Sequence, residues 1–307
     1  MIRKRFVVAL AISLLAMIGV TATGSQAHAA WVMIDDFESG FGFDEGTQTP
    51  VLMTNGLNNW IIAGANDGSA NSGFRHIVSD PDSSTNQVLR FFGGGGTGTA
   101  KQVTAGQGIA DGSTGTVFLR FRMDNATAMA FGLGLSTTTS TATATAGTIG
   151  LGDVNTAANN TVYGFTGTAS TSAAATSSMA QDTWYNLWAV INNVSGTTAD
   201  VVNLYIQGGA FATQTQLAAA GPITNFTSRG NLAGELLQVA FRPANTNRST
   251  VNPPDGGILL IDDIYMDNSG QVLTNPVPEP TGLVLFGIGM IAAGRWCMRR
   301  ARSVKGV

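Results

Sequence analysis

Two short stretches place adjacent carboxylates inside hydrophobic runs. Ile34–Gly40 reads IDDFESG and Ile258–Gly270 reads ILLIDDIYMDNSG. A carboxylate in a strand with a buried face is costly unless it meets a partner or a cation. Asp35, Asp36, Asp262 and Asp263, with Asp267 behind them, therefore demand a chemical explanation. A second group is aromatic. In TWYNLWAVINN (Thr183–Asn193), Trp184 and Trp188 are four apart and share one face of a strand, while Tyr185 points the other way. Such a face is either a sugar-stacking platform or hydrophobic core. Trp31 and Trp60 lie near strand ends and are read as exposed aromatics that could meet a ligand.

No catalytic constellation appears. Outside the N-terminal segment the single histidine is His76. A Ser-His-Asp triad would need it, yet no Gly-x-Ser-x-Gly elbow exists. Metal sites built from His and Cys are excluded by count. Of the four glutamates, Glu38, Glu45, Glu235 and Glu279, the last lies in the tail, and no acid–base pair for a two-carboxylate mechanism stands out. Gly93–Thr99 lacks the Gly-Lys-Ser/Thr ending of a phosphate loop.

Both ends of the 307-residue chain differ from what lies between. Arg3, Lys4 and Arg5 precede an apolar run, Phe6–Val20, and Ala27-His28-Ala29 offers a small-x-small cleavage site. Residues 1–29 thus read as a secretory signal peptide, cut by signal peptidase. Over residues 30–280 there are eight Lys and Arg against nineteen Asp and Glu, a net charge of −11 that the whole-chain value of −3 conceals. An acidic body without a basic patch argues against a nucleic-acid partner. The only cysteine, Cys297, is in the tail, so the body has no disulfide framework. Charged residues are 11% of the chain, against about 25% in typical domains, so the polar surface must be built from Thr, Ser, Asn and Gly.

Positioning these residues falls to strands. No helix-period pattern stands out between Trp31 and Asn275, and short β-rich runs recur between turn-forming clusters. The expected strands are Val32–Phe37, Trp60–Ala63, Gln87–Phe92, Gly115–Met123, Ala128–Leu135, Thr161–Phe165, Trp184–Asn192, Val201–Ile206, Leu236–Arg242 and Gly257–Met266. Phe118, Arg120 and Arg122 alternate with Leu119, Phe121 and Met123, the pattern of a strand with one wet face. Ser136–Thr148 and Thr166–Ser178 are rich in Thr, Ala and Ser and read as edge-strand extensions or loops. The fold class is an all-β antiparallel sandwich over residues 30–270, followed by a linker over 271–280.

The two Asp-Asp stretches that open and close the body resemble the first and last strands of jelly-roll domains, as in carbohydrate-binding modules and concanavalin-A-like or laminin-G-like sandwiches. The Trp-Tyr start of Thr183–Asn193, followed by Val201–Gly209, resembles the adjacent-strand pair of the laminin-G-like group. The resemblance implies that the terminal strands pair in one sheet. It also implies a structural Ca2+ held by Asp35, Asp36, Asp262 and Asp263, the one cofactor in view. The alternative is that one Asp of each pair faces solvent and the other caps a turn. The motifs of jelly-roll glycosidases and alginate lyases are absent, so a polysaccharide hydrolase or lyase is the second expectation rather than the first.

The tail supplies a location. Thr281–Gly294 is a 14-residue apolar run, about 21 Å as a helix against a hydrocarbon core of about 30 Å. Arginines follow it, which the positive-inside rule places in the cytoplasm. Val277-Pro278-Glu279-Pro280, the apolar run, and Arg295, Arg299 and Arg300, in that order, resemble the PEP-CTERM sorting signal. The resemblance covers about 30 residues. It implies that residues 281–307 form a short transmembrane helix and basic tail that anchor the protein until an exosortase handles it. Proteins of this family are often tied to exopolysaccharide and biofilm. The expected function is therefore an exported cell-surface or matrix protein, non-enzymatic, associated with extracellular polysaccharide.

Overall fold

A computed structural model describes residues 31–43, 50–52, 56–62, 75–92, 99–124, 130–136, 146–152, 161–165, 172–174, 179–196, 200–217, 226–227, 234–243 and 258–276. Residues 1–29, read as a signal peptide, the Pro-Glu-Pro stretch and the tail with Arg295, Arg299 and Arg300 lie outside them, as does the Gly93–Gly96 run. No helix among the described residues is long and apolar enough to cross a membrane.

Among the described residues two antiparallel sheets form a sandwich of jelly-roll type. The larger has ten strands: β1 (Val32–Asp35), β2 (Val51–Leu52), β4 (Arg75–Asp80), β5 (Ser83–Phe92), β7 (Thr114–Asp124), β12 (Trp184–Asn192), β13 (Val201–Gly208), β14 (Phe211–Leu217), β15 (Phe226–Thr227) and β17 (Ile258–Asp267). Its main order is β14-β13-β12-β7-β17-β5-β4-β2, with β1 beside β17 and β15 beside β13. The smaller sheet has seven: β3 (Trp60–Ile62), β6 (Thr99–Gln102), β8 (Ala130–Ser136), β9 (Ala146–Gly152), β10 (Thr161–Phe165), β11 (Ser172–Ala174) and β16 (Gln238–Pro243), in the order β11-β10-β9-β8-β16-β6-β3. Within the Thr/Ala/Ser-rich stretches, Ser136 ends β8, Ala146 begins β9, and Ser172–Ala174 makes an edge strand; most of the remainder lies outside the described residues.

The core follows from period-2 alternation. Val117, Leu119, Phe121 and Met123 of β7, Tyr185, Leu187, Ala189 and Ile191 of β12, and Leu259 and Ile261 of β17 meet Trp60, Val239 and Phe241 of the smaller sheet. Aromatic rings tie the layers together: Trp60 lies 5.8 Å from Phe37 and 6.3 Å from Phe241, and Phe91 lies 5.8 Å from Phe241. The exposed role expected of Trp60 is therefore wrong. It is completely buried, because it shares the inward parity of Ile62 on β3.

The first and last strands do pair: β1 runs antiparallel to β17, Val32 opposite Met266. β17 has one edge shared by two partners. Ile258–Ile261 pair with β5 and Ile264–Met266 pair with β1. The handover falls on a bulge at Asp262–Asp263, where Asp263 takes a φ of +51°. Without a bulge, alternation would send Asp263 inward and Ile264 outward. With it, Ile261 and Ile264 both enter the core.

At β1 the charge goes the other way. Asp35 turns inward and is nearly sealed, accepting from the Trp60 indole N–H at 2.6 Å and the Phe37 N–H at 2.9 Å. Lys101 of β6 completes an ion pair at 2.6 Å, and Asn58 donates at 3.4 Å. This carboxylate joins the sheets. Removing one member of a buried, hydrogen-bonded ion pair strands the other, so Asp35→Ala should lower the unfolding free energy by about 3–5 kcal/mol. Urea denaturation reads this directly; a loss below about 1 kcal/mol, the value of an exposed pair, would mean that the joint is dispensable.

Candidate functional site

The outward face of the ten-stranded sheet carries three rows of side chains running across the strands. The first is Trp184 (β12), Arg122 (β7), Leu260 (β17), Arg90 (β5) and His76 (β4), each directly opposite the next. The second is Gln207 (β13), Asn186 (β12), Arg120 (β7) and Asp262 (β17). The third is aromatic: Tyr205, Trp188, Phe118 and Tyr265. The outward face expected of β7 is thus present, but of its three residues only Arg120 reaches solvent; Phe118 and Arg122 are buried, as are Leu260 and Asp262 beside them. At 4.7–4.9 Å per strand the first row spans about 19 Å.

The aromatic row is closed. Trp188 and Tyr265 are buried, and Trp31 packs edge-on against Phe118 at 6.2 Å. The chain after β17 folds back over this end of the sheet. Thr116 donates its hydroxyl to the Gly270 carbonyl at 2.9 Å and accepts the Val272 N–H at 3.0 Å. Gln214 donates to the Leu273 carbonyl at 2.8 Å, and Leu273 packs on the aromatic cluster. Trp31 is therefore half-buried in a cluster rather than a free platform. Residues 271–273, expected as linker, are docked, and the chain divides into compact units after Leu273.

The two polar rows hold a closed circuit of contacts. Arg120 lies over the Trp184 ring, 4.9 Å from its centroid, and donates to Asp262 at 3.2 Å and Asp263 at 3.0 Å. Asn86 donates to Asp262 and to Asp80, both at 3.1 Å. Asp80 in turn accepts the Trp184 indole N–H at 3.3 Å. Trp184 is held from the other side by the β13–β14 hairpin. Its turn residues Gly208 and Gly209 have positive φ, and a Cβ on Gly208 would collide with the Trp184 carbonyl. Beside this circuit Arg122 donates to Asp124 at 2.6 Å and Asp82 at 3.0 Å, with Asp182 at 3.6 Å.

The electrostatics follow from burial. Burial and the neighbouring Asp263 push Asp262 up to about 7, against the opposing donors Asn86 and Arg120 and the Asp263 amide. Burial likewise raises Asp124, and the adjacent Asp182 adds to it, while Arg122 opposes. His76 is lowered by burial and by Arg90 across the strand pair, so its neutral form is favoured. Burial and the carboxylates Asp263, Asp36 and Asp262 push the Tyr265 hydroxyl up to about 12.

The four-aspartate site implied for Ca2+ is not assembled. Asp35 is committed to the inter-sheet joint, while Asp262 and Asp263 pair with Arg120 on the outward face; Asp36 accepts the Glu38 N–H at 3.2 Å in a turn. Among the described residues no three His, Cys, Asp or Glu side chains come together to hold a metal ion. These residues do not fit a calcium centre, because the four carboxylates do not converge: Asp35 points into the inter-sheet joint with Lys101, while Asp262 and Asp263 share Arg120 on the opposite face. The sequence reading missed Asn86 and Asp80 altogether. Their role depends on a contact between Asn86 and Asp262, 176 residues apart, which no local pattern encodes.

No family model and no curated protein matches the chain. Solved structures similar to it include a sialidase (10% identity, TM-score 0.44, 78% of this chain and 19% of that one). Others are the alginate lyase Aly36B (11%, 0.41, 70% and 99%) and a GH131 β-glucanase catalytic domain from Podospora anserina (13%, 0.43, 79% and 98%). The chain spans about a fifth of the sialidase's length.

The elevated Asp262 gives a pH signature. An Asp raised in the folded state favours the protonated form, so its contribution is most favourable below the ordinary carboxylate range. It declines as pH climbs from about 4 to about 7. Asp262→Asn, always neutral, lacks this slope. The wild type should lose roughly 2–4 kcal/mol relative to the variant between pH 4 and pH 7.5, read from urea midpoints. Parallel profiles would show that Asp262 is not perturbed.

Proposed function

We propose that this is an exported cell-surface or matrix protein that associates with extracellular polysaccharide and holds it, without cleaving it, on the outward face of the ten-stranded sheet. The observation that carries the reading is the circuit of Trp184, Arg120, Asp262, Asn86 and Asp80. It sets an indole, with Arg120 over its ring, among fixed donors and acceptors. A pyranose offers the complement: hydroxyls that both donate and accept. Arg120 is 30% exposed at its side chain, so the circuit reaches the surface.

Holding rather than cleaving is favoured by the position of Asp262, a carboxylate whose pKa suits acid–base work. Asp262 is 1% exposed. One of its oxygens accepts from Arg120 and Asn86, the other from the Asp263 amide. A general acid must come within hydrogen-bond reach of the bond it protonates, and Asp262 is enclosed. The alternative, a polysaccharide hydrolase or lyase, rests on neutral-favouring His76 beside Arg90 in the first row.

Export and sorting rest on the sequence. The N-terminal pattern supports processing by signal peptidase, and the Pro-Glu-Pro tail supports membrane anchoring followed by exosortase action. An acidic, low-charge exterior suits a hydrated polysaccharide matrix.

The purified full chain on a polysaccharide array should bind without releasing reducing ends or unsaturated products. Arg120→Ala and Trp184→Ala, each checked for a native circular dichroism spectrum, should weaken binding at least tenfold. Product release would favour the enzyme; binding untouched by both variants would remove this face from the account. In cells, replacing Pro278, Glu279 and Pro280 with alanine should alter maturation and surface retention, and unchanged maturation would count against the sorting signal.

A further inference from the structure

The charge inventory of the outward face selects the class of polysaccharide. We infer that the ligand is a neutral, hydroxyl-rich glycan and not a uronate or otherwise acidic polymer; this rests on the reading of that face as a polysaccharide site. Among the described residues three guanidinium groups face outward around the two polar rows, Arg90, Arg120 and Arg122. Six carboxyl groups accompany them, Asp80, Asp82, Asp124, Asp182, Asp262 and Asp263, and they outnumber the guanidiniums even with Asp262 partly protonated near neutral pH. His76 adds no positive charge near neutral pH.

The arrangement of these charges matters as much as their count. Arg120 already serves two carboxylates, and Arg122 lies among three. A uronate carboxylate seeking Arg120 or Arg122 would have to displace an aspartate and then sit among the remaining acidic groups. Like charges brought together in this way cost more than a rim hydrogen bond returns. The body's net charge of −11 adds a long-range repulsion that lowers encounter with polyanions.

A sugar hydroxyl faces none of this. It donates to an aspartate oxygen and accepts from a guanidinium N–H, so a neutralised Arg–Asp pair is a ready two-way partner that need not be broken. Asn86, Asn186 and Gln207, in or beside the same rows, extend the supply of neutral donors and acceptors.

The test is affinity electrophoresis of the full chain at low ionic strength. The neutral probes are laminarin, xyloglucan and galactomannan; the acidic ones are alginate and polygalacturonate. At least one neutral polymer should bind tenfold or more tightly than either acidic polymer. Equal or tighter binding of alginate or polygalacturonate would overturn the charge argument while leaving the face as a polysaccharide site. Retardation by none of the five would overturn the polysaccharide reading itself. A gain-of-function variant tests the cause. Asp82→Asn with Asp182→Asn, both at well-exposed positions, frees Arg122 of two of its three carboxylates. Alginate affinity should then rise at least threefold, and an unchanged alginate affinity would contradict the inference.

Discussion

Four carboxylates sit in, or just past the end of, two neighbouring strands that must also supply core, and the structure is organised around where each charge goes. β1 and β17 lie side by side, each with hydrophobic residues on both sides of an Asp-Asp pair. A buried carboxylate is tolerated only where donors meet it. Asp35 turns inward, and the opposite sheet answers with Lys101 and the Trp60 indole. Asp262 and Asp263 are met on the outer face by Arg120. The bulge that makes this possible is also the point where β17 leaves β5 for β1. Strand topology and site construction are therefore one event.

This origin gives the site its rigidity. Trp184, Arg120, Asn86 and Asp80 each make at least two contacts within the circuit, and their backbones belong to central strands or to the turn-proximal end of β4 and β5. Groups held in this way lose little freedom when a ligand arrives, which favours affinity. The fold-back of Gly270–Leu273 has the complementary effect. It seals the aromatic row and leaves the partly exposed members of the polar rows, Trp184, Asn186, Arg120 and Gln207 among them, as the part of the face that meets water.

Much of the sandwich was legible because its strands obey simple alternation. Thr161–Phe165 and Trp184–Asn192 form with the boundaries read from the sequence, and the shared face of Trp184 and Trp188 opposite Tyr185 holds. Strands that carry charge or small polar residues escaped: β4 has Arg75 and Asp80 at its ends, and β14 reads FATQTQL. Trp60 was misread because proximity to a strand end suggested exposure, whereas parity on β3 and a partner 25 residues earlier decide its burial. The Asp-Asp pairs announced a chemical problem but not its solution. An aspartate that needs a cation looks the same in sequence whether the cation is a metal ion or a lysine on the other sheet. The circuit on the outer face is assembled from β4, β5, β7, β12 and β17, and only the register of the folded sheet brings those residues into rows.

The most direct test of the central claim is hydrogen–deuterium exchange of the full chain with and without a saturating neutral glucan such as laminarin. Slowed exchange should appear over residues 80–90, 118–124, 184–188 and 258–263, the segments that carry the two polar rows. Protection confined to the seven-stranded sheet, or no protection in any segment, would contradict the assignment of the outward face of the ten-stranded sheet as the site.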